Sequence, residues 1–319
     1  MQKATLKYQN SFDYFYNCFL QTVELSNQGK LQAPVEANSN DIFIDKISRY
    51  FFSAFHQPNT TKAIPYWSST CLAKNQYHTV IKLIEERITQ INISPYKIPK
   101  ILDIGCGDGT LTVMILEKIR ELCNCEKIEV VLIDPDAESI KIAGNKLDQL
   151  SWISFTPIQK PFNLELLSNL LSNEYFELVN ASSILHEFPY YEKERILTKL
   201  FAVAKNVIVT ELEGDHDLIL SQSKQLVKTA FFFYKNLFDC IVPDKADPDF
   251  ESFIYGYIFP EFSDILFKNY KNRRNYHLDL PRWQNLYKIS GWNYYSTLTP
   301  TNICGFNFFT SHLFCETNN

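Results

Sequence analysis

Between about residues 100 and 213, short apolar segments alternate with amphipathic segments of helical periodicity. The segment 128–133 is nearly all apolar, which is typical of a strand buried on both faces. This alternation predicts an α/β fold, a doubly wound and mostly parallel sheet with helices on both sides. The predicted strands are 101–104, 128–133, 152–156, 176–180 and 207–211, and the predicted helices are 111–122, 137–150, 162–171 and 191–204.

The segments that flank this alternation complete the predicted organisation. Residues 1–98 carry amphipathic stretches, the last beginning at Tyr77, and we expect a helical N-terminal lid region there. Residues 99–319 are expected to form one further domain with a helical cap insertion at about 217–275. The closing elements are a helix at 281–290 and strands at 292–298 and 308–316. These last two strands are expected to form an antiparallel edge of the sheet.

Three glycines separate the first predicted strand from the helix that follows it, in Asp103-Ile-Gly-Cys-Gly-Asp-Gly109. Ligands of open α/β sheets bind beyond the carboxyl ends of the strands, where this loop is expected to lie. Glycines let a ligand lie directly on the main chain, and the N–H groups of the following helix favour an anionic group. The dinucleotide-binding form requires its third glycine at position 110, which is Thr110. The loop therefore favours a different cofactor.

The aspartate two positions before the first glycine makes this segment closely resemble the first motif of class I S-adenosylmethionine-dependent methyltransferases. The resemblance implies that the loop backbone wraps the methionine part of S-adenosyl-L-methionine, that Asp103 holds its amino group, and that S-adenosyl-L-homocysteine is the product. It also implies that Asp134, at the end of the second strand, accepts both ribose hydroxyls. The implied cofactor-binding residues of these segments are Asp103, Gly105, Cys106, Gly107, Gly109, Asp134 and Pro135.

Two more cofactor contacts follow from the same resemblance. The family usually has an acid near the adenine after the third strand, and this stretch reads Thr156-Pro-Ile-Gln159-Lys160. Gln159 is therefore expected at that place. Asn180 ends the fourth predicted strand and is expected to face the cofactor.

A second resemblance covers about residues 200–295. The run 211–216, an acid-x-acid-x-x-His sequence after a strand, resembles a segment of the methyltransferase-like GRAS domain of plant regulators. The aromatic segment 231–239 and the segment 281–292 resemble later parts of that domain. Many GRAS proteins are regulators whose glycine motif is degraded. The intact motif of this chain therefore favours an enzyme over a GRAS-like interaction module.

The candidate catalytic residues are His216, Glu211 and His186. Methyl transfer from a sulfonium needs an aligned acceptor and often a base, and it needs no metal, so none is predicted. His216 and Glu211 follow the fifth predicted strand, and His186 lies just past the fourth, where an imidazole can act near neutral pH. Each residue also has an ordinary structural interpretation as a capping or buried hydrogen-bonding group, and both interpretations stay open.

Aromatic residues are abundant, with 25 Phe and 18 Tyr. They either line ligand pockets or fill cores, and the second role is the commoner one. If they line pockets, one group would fold over the cofactor and the other would wall an acceptor site. The first group is Tyr66, Trp67 and Tyr77, and the second is Phe231 to Tyr234, Tyr255 and Tyr257.

The net charge of −5 and the single short basic run at 268–274 argue against a nucleic-acid partner. The eight cysteines are scattered without a C-x-x-C pair, as expected for reduced thiols of a cytoplasmic protein. No apolar run approaches the roughly 20 residues that span a bilayer, so no membrane association is expected. We expect methylation of N or O on a small-molecule metabolite or natural-product intermediate. An RNA or protein acceptor, and a homodimer, stay open.

Overall fold

The chain divides into two compact units. Met1–Ala63 and Gly214–His277 form the first unit, and Ile64–Glu213 and Leu278–Asn319 form the second. The computed structural model describes residues 71–94, 97–171, 174–217, 265, 270–299 and 309–316, to which the following description refers.

The second unit contains six α-helices, one 3-10 helix (Leu185–Glu187) and seven strands among its described residues. The helices are α1 (Cys71–Ile91), α2 (Thr110–Cys123), α3 (Ala137–Leu147), α4 (Leu164–Leu171), α5 (Tyr190–Phe201) and α6 (Leu280–Ile289). The strands are β1 (Lys100–Ile104), β2 (Ile128–Asp134), β3 (Ile153–Gln159), β4 (Leu178–Ser182), β5 (Asn206–Leu212), β6 (Tyr294–Leu298) and β7 (Phe309–Cys315).

All seven strands form one sheet in the order β3-β2-β1-β4-β5-β7-β6. Strands β1 to β5 are parallel, whereas β7 runs antiparallel to both β5 and β6. The predicted doubly wound Rossmann-like sheet with an antiparallel edge is therefore confirmed. The chain reverses its direction of strand addition between β3 and β4, which leaves β1 and β4 adjacent at the position where open α/β sheets bind ligands.

Helices cover both faces of the sheet because successive strand residues point to opposite sides. In β2, Val130 and Leu132 belong to the core beneath α1, α2 and α3. Val131 and Ile133 belong to the core beneath α4, α5 and α6. This double burial explains why the strands are apolar along their whole length instead of alternating with polar residues.

Most element boundaries differ from the sequence prediction by a few residues; β4, for example, continues to Ser182, so Asn180 lies inside that strand and does not end it. Two other differences have a clear physical reason. Helix α1 begins at Cys71, before the predicted start at Tyr77, and its early residue Ala73 is already buried in the core. Strand β3 continues to Gln159 although it contains Pro157. Because β3 is at the edge of the described sheet, half of its backbone N–H positions face away from β2, and proline is tolerated in such strands.

The first unit is described only at residues 214–217, 265 and 270–277. There the backbone N–H groups of His216 and Asp217 donate to the carbonyl of His277, at 2.9 and 3.2 Å. The Tyr270 hydroxyl donates to the Asp217 carboxylate. The predicted lid residues before 71 and most of the predicted cap insertion lie outside the described residues. Among the helices that are described, none has the length and apolarity needed to cross a membrane.

Candidate functional site

The glycine loop connects the end of β1 to the start of α2 at the carboxyl edge of the sheet. Gly105, Gly107 and Gly109 all have positive φ angles, of +71°, +52° and +74°. These angles lie in the left-handed region, which glycine adopts without steric cost. The N–H groups of Gly105 and Cys106 donate to the carbonyl of Ile133 in β2, at 2.7 and 3.1 Å. The loop backbone is thus held against the neighbouring strand in a conformation that its glycines permit.

Asp134 ends β2 and holds the loop from that side. Its Oδ2 atom accepts a hydrogen bond from the N–H of Gly107 at 2.9 Å, and its Oδ1 atom accepts one from the N–H of Asp136 at 2.9 Å. Burial raises the pKa of this carboxyl. Each carboxylate oxygen has two acceptor positions, so both oxygens keep one for a hydroxyl pair. Pro135, which follows, is exposed.

Asp103 and Asn180 lie side by side on β1 and β4, as the register of the two strands requires. Asn180 Nδ2 donates to Asp103 Oδ1 at 2.8 Å, and the hydroxyl of Thr112 donates to Asp103 Oδ2. The Ser182 hydroxyl extends this chain by donating to Asn180 Oδ1 at 2.8 Å. Burial raises the pKa of Asp103 to about 6 although both hydrogen bonds lower it. The structure therefore joins two predicted site residues through contacts that lie beneath the loop.

A third aspartate connects the loop to helix α3. Asp108 accepts hydrogen bonds from the N–H of Thr110 at 3.0 Å and from Lys146 Nζ at 3.0 Å. Burial acts to raise its pKa, but the hydrogen bonds from Lys146 and Thr110 outweigh burial, so the pKa lies below its usual value. The loop is consequently anchored by an ion pair to α3 in addition to its contacts with β2.

His186 and Glu211 form a buried pair at the same edge of the sheet. Nδ1 of His186 lies 2.9 Å from Oε2 of Glu211. The other oxygen, Oε1, accepts hydrogen bonds from the N–H groups of three successive residues, at 2.6–3.2 Å. These residues are Ile184, Leu185 and His186. Glu211 therefore fixes both the backbone turn after β4 and the orientation of the imidazole ring.

The turn that carries His186 lies against the glycine loop. A Cβ atom placed on Gly105 would lie 3.4 Å from Cβ of Ile184, which is ordinary contact distance. Ser183 has a φ of +54°, and its N–H donates to the carbonyl of Thr210 at 2.8 Å. The His–Glu pair and the glycine loop are thus neighbours at this edge of the sheet.

The remaining predicted site residues are placed as follows. Gln159 pairs in register with Asp134 and has an exposed side chain. Cys106 is buried in the loop, and burial raises the pKa of its thiol.

His216 belongs to the first unit. There its ring meets the ring of His277 edge to face, with centroids 5.3 Å apart. Its catalytic assignment stays a prediction. The aromatic candidates Tyr66, Trp67, Phe231 to Tyr234, Tyr255 and Tyr257 lie outside the described residues.

Several residues that contact the site were not predicted from the sequence. Thr112 carried a usable signal, because it interrupts the apolar face that Ile115, Leu116 and Ile119 continue along α2. A polar residue on a buried helix face usually has a hydrogen-bond partner, and here the partner is Asp103. Lys146 carried no such signal, since it is 38 residues from Asp108 in the chain.

Comparison with known proteins gives one family match. A family model described as "Methyltransferase domain" matches residues 97–263. None of the curated proteins matches the chain.

Comparison with solved structures gives matches at low sequence identity. The crystal structure of SCL7 from Oryza sativa has a TM-score of 0.61 at 14% identity, over 85% of this chain and 89% of that one. The CurJ carbon methyltransferase has a TM-score of 0.52 at 15% identity, over 83% of this chain. The DszA carbon methyltransferase has a TM-score of 0.51 at 14% identity, also over 83%. The chain spans 60% of the length of each carbon methyltransferase structure. At these identities, the three similarities describe the fold.

Proposed function

The chain belongs to the methyltransferase domain family, and from this premise we propose that it is an S-adenosyl-L-methionine-dependent methyltransferase with the following substrate class and site residues. The proposed acceptor is the nitrogen or oxygen of a small molecule, either a metabolite or a natural-product intermediate. The observation that carries the proposal is the buried His186–Glu211 pair beside the glycine loop.

The residues of the loop edge fit the cofactor. The backbone from Gly105 to Gly109 would lie against its methionine part, with the amino group near Asp103. The two carboxylate oxygens of Asp134, each with an acceptor position left, would take the ribose hydroxyls. Gln159 and Asn180 are the proposed further contacts, with Gln159 nearest the adenine.

His186 is the proposed general base. A carboxylate can only accept hydrogen bonds, so the 2.9 Å contact with Glu211 places the ring proton on Nδ1 and the lone pair on Nε2. When bound, the cofactor would supply a methyl group on a sulfonium for transfer to the acceptor. Nε2 receives the acceptor's proton, and the Glu211 carboxylate stabilises the imidazolium that results.

Charge favours a small acceptor over a nucleic acid. The chain carries 31 basic and 36 acidic residues, and its densest basic run, 268–274, is short. The GRAS-like character of residues 200–295 belongs to the competing proposal of a non-catalytic interaction module. The intact glycine loop with its anchored aspartates favours the enzyme, since a module without cofactor would not need them.

The decisive experiment separates chemistry from cofactor binding. His186→Gln is expected to slow methyl transfer to amines, phenols and carboxylic acids by about 10²- to 10⁴-fold, the usual contribution of a general base. The same variant should bind S-adenosyl-L-homocysteine as tightly as the native protein in calorimetry. Asp134→Ala should behave in the opposite way and lose cofactor affinity by about 10- to 100-fold, because it removes two charge-assisted contacts.

His78→Gln is the matched control, since it makes the same substitution at an exposed position on α1 and should change neither quantity. Cofactor binding without transfer to any small molecule would replace the small acceptor with an RNA or protein acceptor. Folded native protein that binds no cofactor would instead favour the interaction module.

A further inference from the structure

Helix α1 lies outside the residues that the family model matches, yet its first half reaches the cofactor edge. At its C-terminal end, the carbonyl of Ile91 accepts a hydrogen bond from Asn206, the first residue of β5, at 2.8 Å. Near its N-terminal end, Gln76 Nε2 donates to the Ser183 hydroxyl at 2.5 Å, in the turn after β4. The helix therefore runs antiparallel to the parallel strands, and residues 73–77 lie at their carboxyl edge.

Tyr77 follows Gln76 and is turned toward the glycine loop. Its side chain is only 8% exposed and belongs to the same buried cluster as Cys106 and Leu111. Burial raises the pKa of its phenol, and the negative charges of Asp108 and Asp103 raise it further. The hydroxyl is therefore a neutral donor at physiological pH, located among the carboxylates of the loop.

No hydrogen-bond partner of the Tyr77 hydroxyl is found within the described part of the chain. Buried polar groups almost always have a partner, and one without a protein partner is normally satisfied by water or a ligand. The side-chain amide of Gln76, one position earlier, already donates a hydrogen bond to Ser183. The Tyr77 hydroxyl is accordingly a donor near the glycine loop that is available to a ligand.

The charges around this hydroxyl select the group that it would take. The methionine part of the cofactor carries a carboxylate, which the nearby Asp103 and Asp108 repel. Asp108 is balanced by Lys146 Nζ at 3.0 Å, and Asp103 is proposed to hold the cofactor's amino group. The cofactor carboxylate then needs a donor that is not itself negative, and a protonated phenol provides one.

We propose that the Tyr77 hydroxyl donates a hydrogen bond to the carboxylate of the bound cofactor, which makes α1 part of the cofactor site. This inference rests on the cofactor binding at the glycine loop that is proposed above. It does not depend on the acceptor or on His186.

Two ligands that differ only in this carboxylate test the proposal. Calorimetry would measure S-adenosyl-L-methionine and decarboxylated S-adenosyl-L-methionine on the native protein, Tyr77→Phe and Tyr287→Phe. Tyr77→Phe is expected to weaken the first ligand by about tenfold, as for a lost hydrogen bond to a charged group, and to leave the second within about twofold. Tyr287→Phe removes a hydroxyl that contacts the carbonyl of Asn293, and it should affect neither ligand.

Each other outcome has a definite meaning. Equal weakening of both ligands by Tyr77→Phe, or no weakening of either, would overturn the assignment of Tyr77 to the carboxylate. Native protein that is folded but binds neither ligand would overturn cofactor binding itself, and the Tyr77 proposal with it. Thermal unfolding of each variant, expected to match the native protein closely, shows that differences in affinity do not come from lost structure.

Discussion

At the scale of single residues, Gly109 shows why the loop sequence is so restricted. Its φ of +74° already disfavours any side chain, and a Cβ atom at this position would lie 2.8 Å from Cα and Cβ of Ala143 in α3. Gly291 has a comparable φ of +87°, but its Cβ would find its nearest neighbour, Phe201, at 3.8 Å. A comparison of the two positions therefore distinguishes the effect of backbone strain, which both share, from that of close packing, which only Gly109 has.

We expect Gly109→Ala to destabilise the protein by about 2 kcal/mol more than Gly291→Ala. The second change adds only the strain of a left-handed alanine, about 1 kcal/mol, whereas the first also forces the loop away from α3. Urea unfolding of the native protein and both variants measures this difference. Equal losses for the two variants would mean that the loop moves away from Ala143 at no cost.

At the scale of elements, β6 and β7 bury an ionisable ring. His312 in β7 is 1% exposed, lies 4.7 Å from the ring of Trp283, and its Nδ1 lies 2.8 Å from the Tyr295 hydroxyl. Burial lowers the pKa of His312 from 6.5 to about 3. The native protein thus keeps the ring neutral at pH values where the unfolded chain protonates it.

This difference predicts a loss of stability in acid. Between about pH 3 and 6.5 the unfolded state binds the additional proton, so the stability that neutral His312 contributes is present above pH 6.5 and is lost as the pH falls. From pH 7 to pH 5 the expected loss is about 2 kcal/mol. His312→Gln should lack this part of the pH dependence. Urea unfolding of both proteins at the two pH values tests it, and parallel losses would contradict it.

At the scale of the whole sheet, β7 determines whether the second unit is complete. All seven residues of β7 are buried, and the strand pairs with β5 on one side and β6 on the other. In this pairing Asn206 of β5 lies opposite Cys315 of β7, more than a hundred positions later in the chain. Without β7, the apolar strand β5 would become an open edge, which favours association with other chains.

We expect a chain ending at residue 299 to fail to form the native sheet and to aggregate. A chain ending at residue 316 retains β7 and should fold like the native protein. Near-ultraviolet circular dichroism and size-exclusion chromatography distinguish these outcomes. A monomeric, cooperatively folded chain ending at residue 299 would show that β7 is dispensable.

The sequence by itself determined the elements and the cofactor loop. Apolar runs such as 128–133 and the glycines at 105, 107 and 109 are local features, and each acts on structure within a few residues. They were sufficient to predict the parallel sheet and the place of Asp134 at a strand end, which the structure confirms.

Only the tertiary structure decided which distant side chains meet. His186 pairs with Glu211 across 25 positions, and Asn180 reaches Asp103 across 77. Both contacts depend on β4 lying between β1 and β5. Local periodicity does not encode strand order, because order is set by how the two cores pack. The same packing turned Tyr77 toward the loop and lowered the pKa of His312, since burial acts on groups only once the sheet has formed.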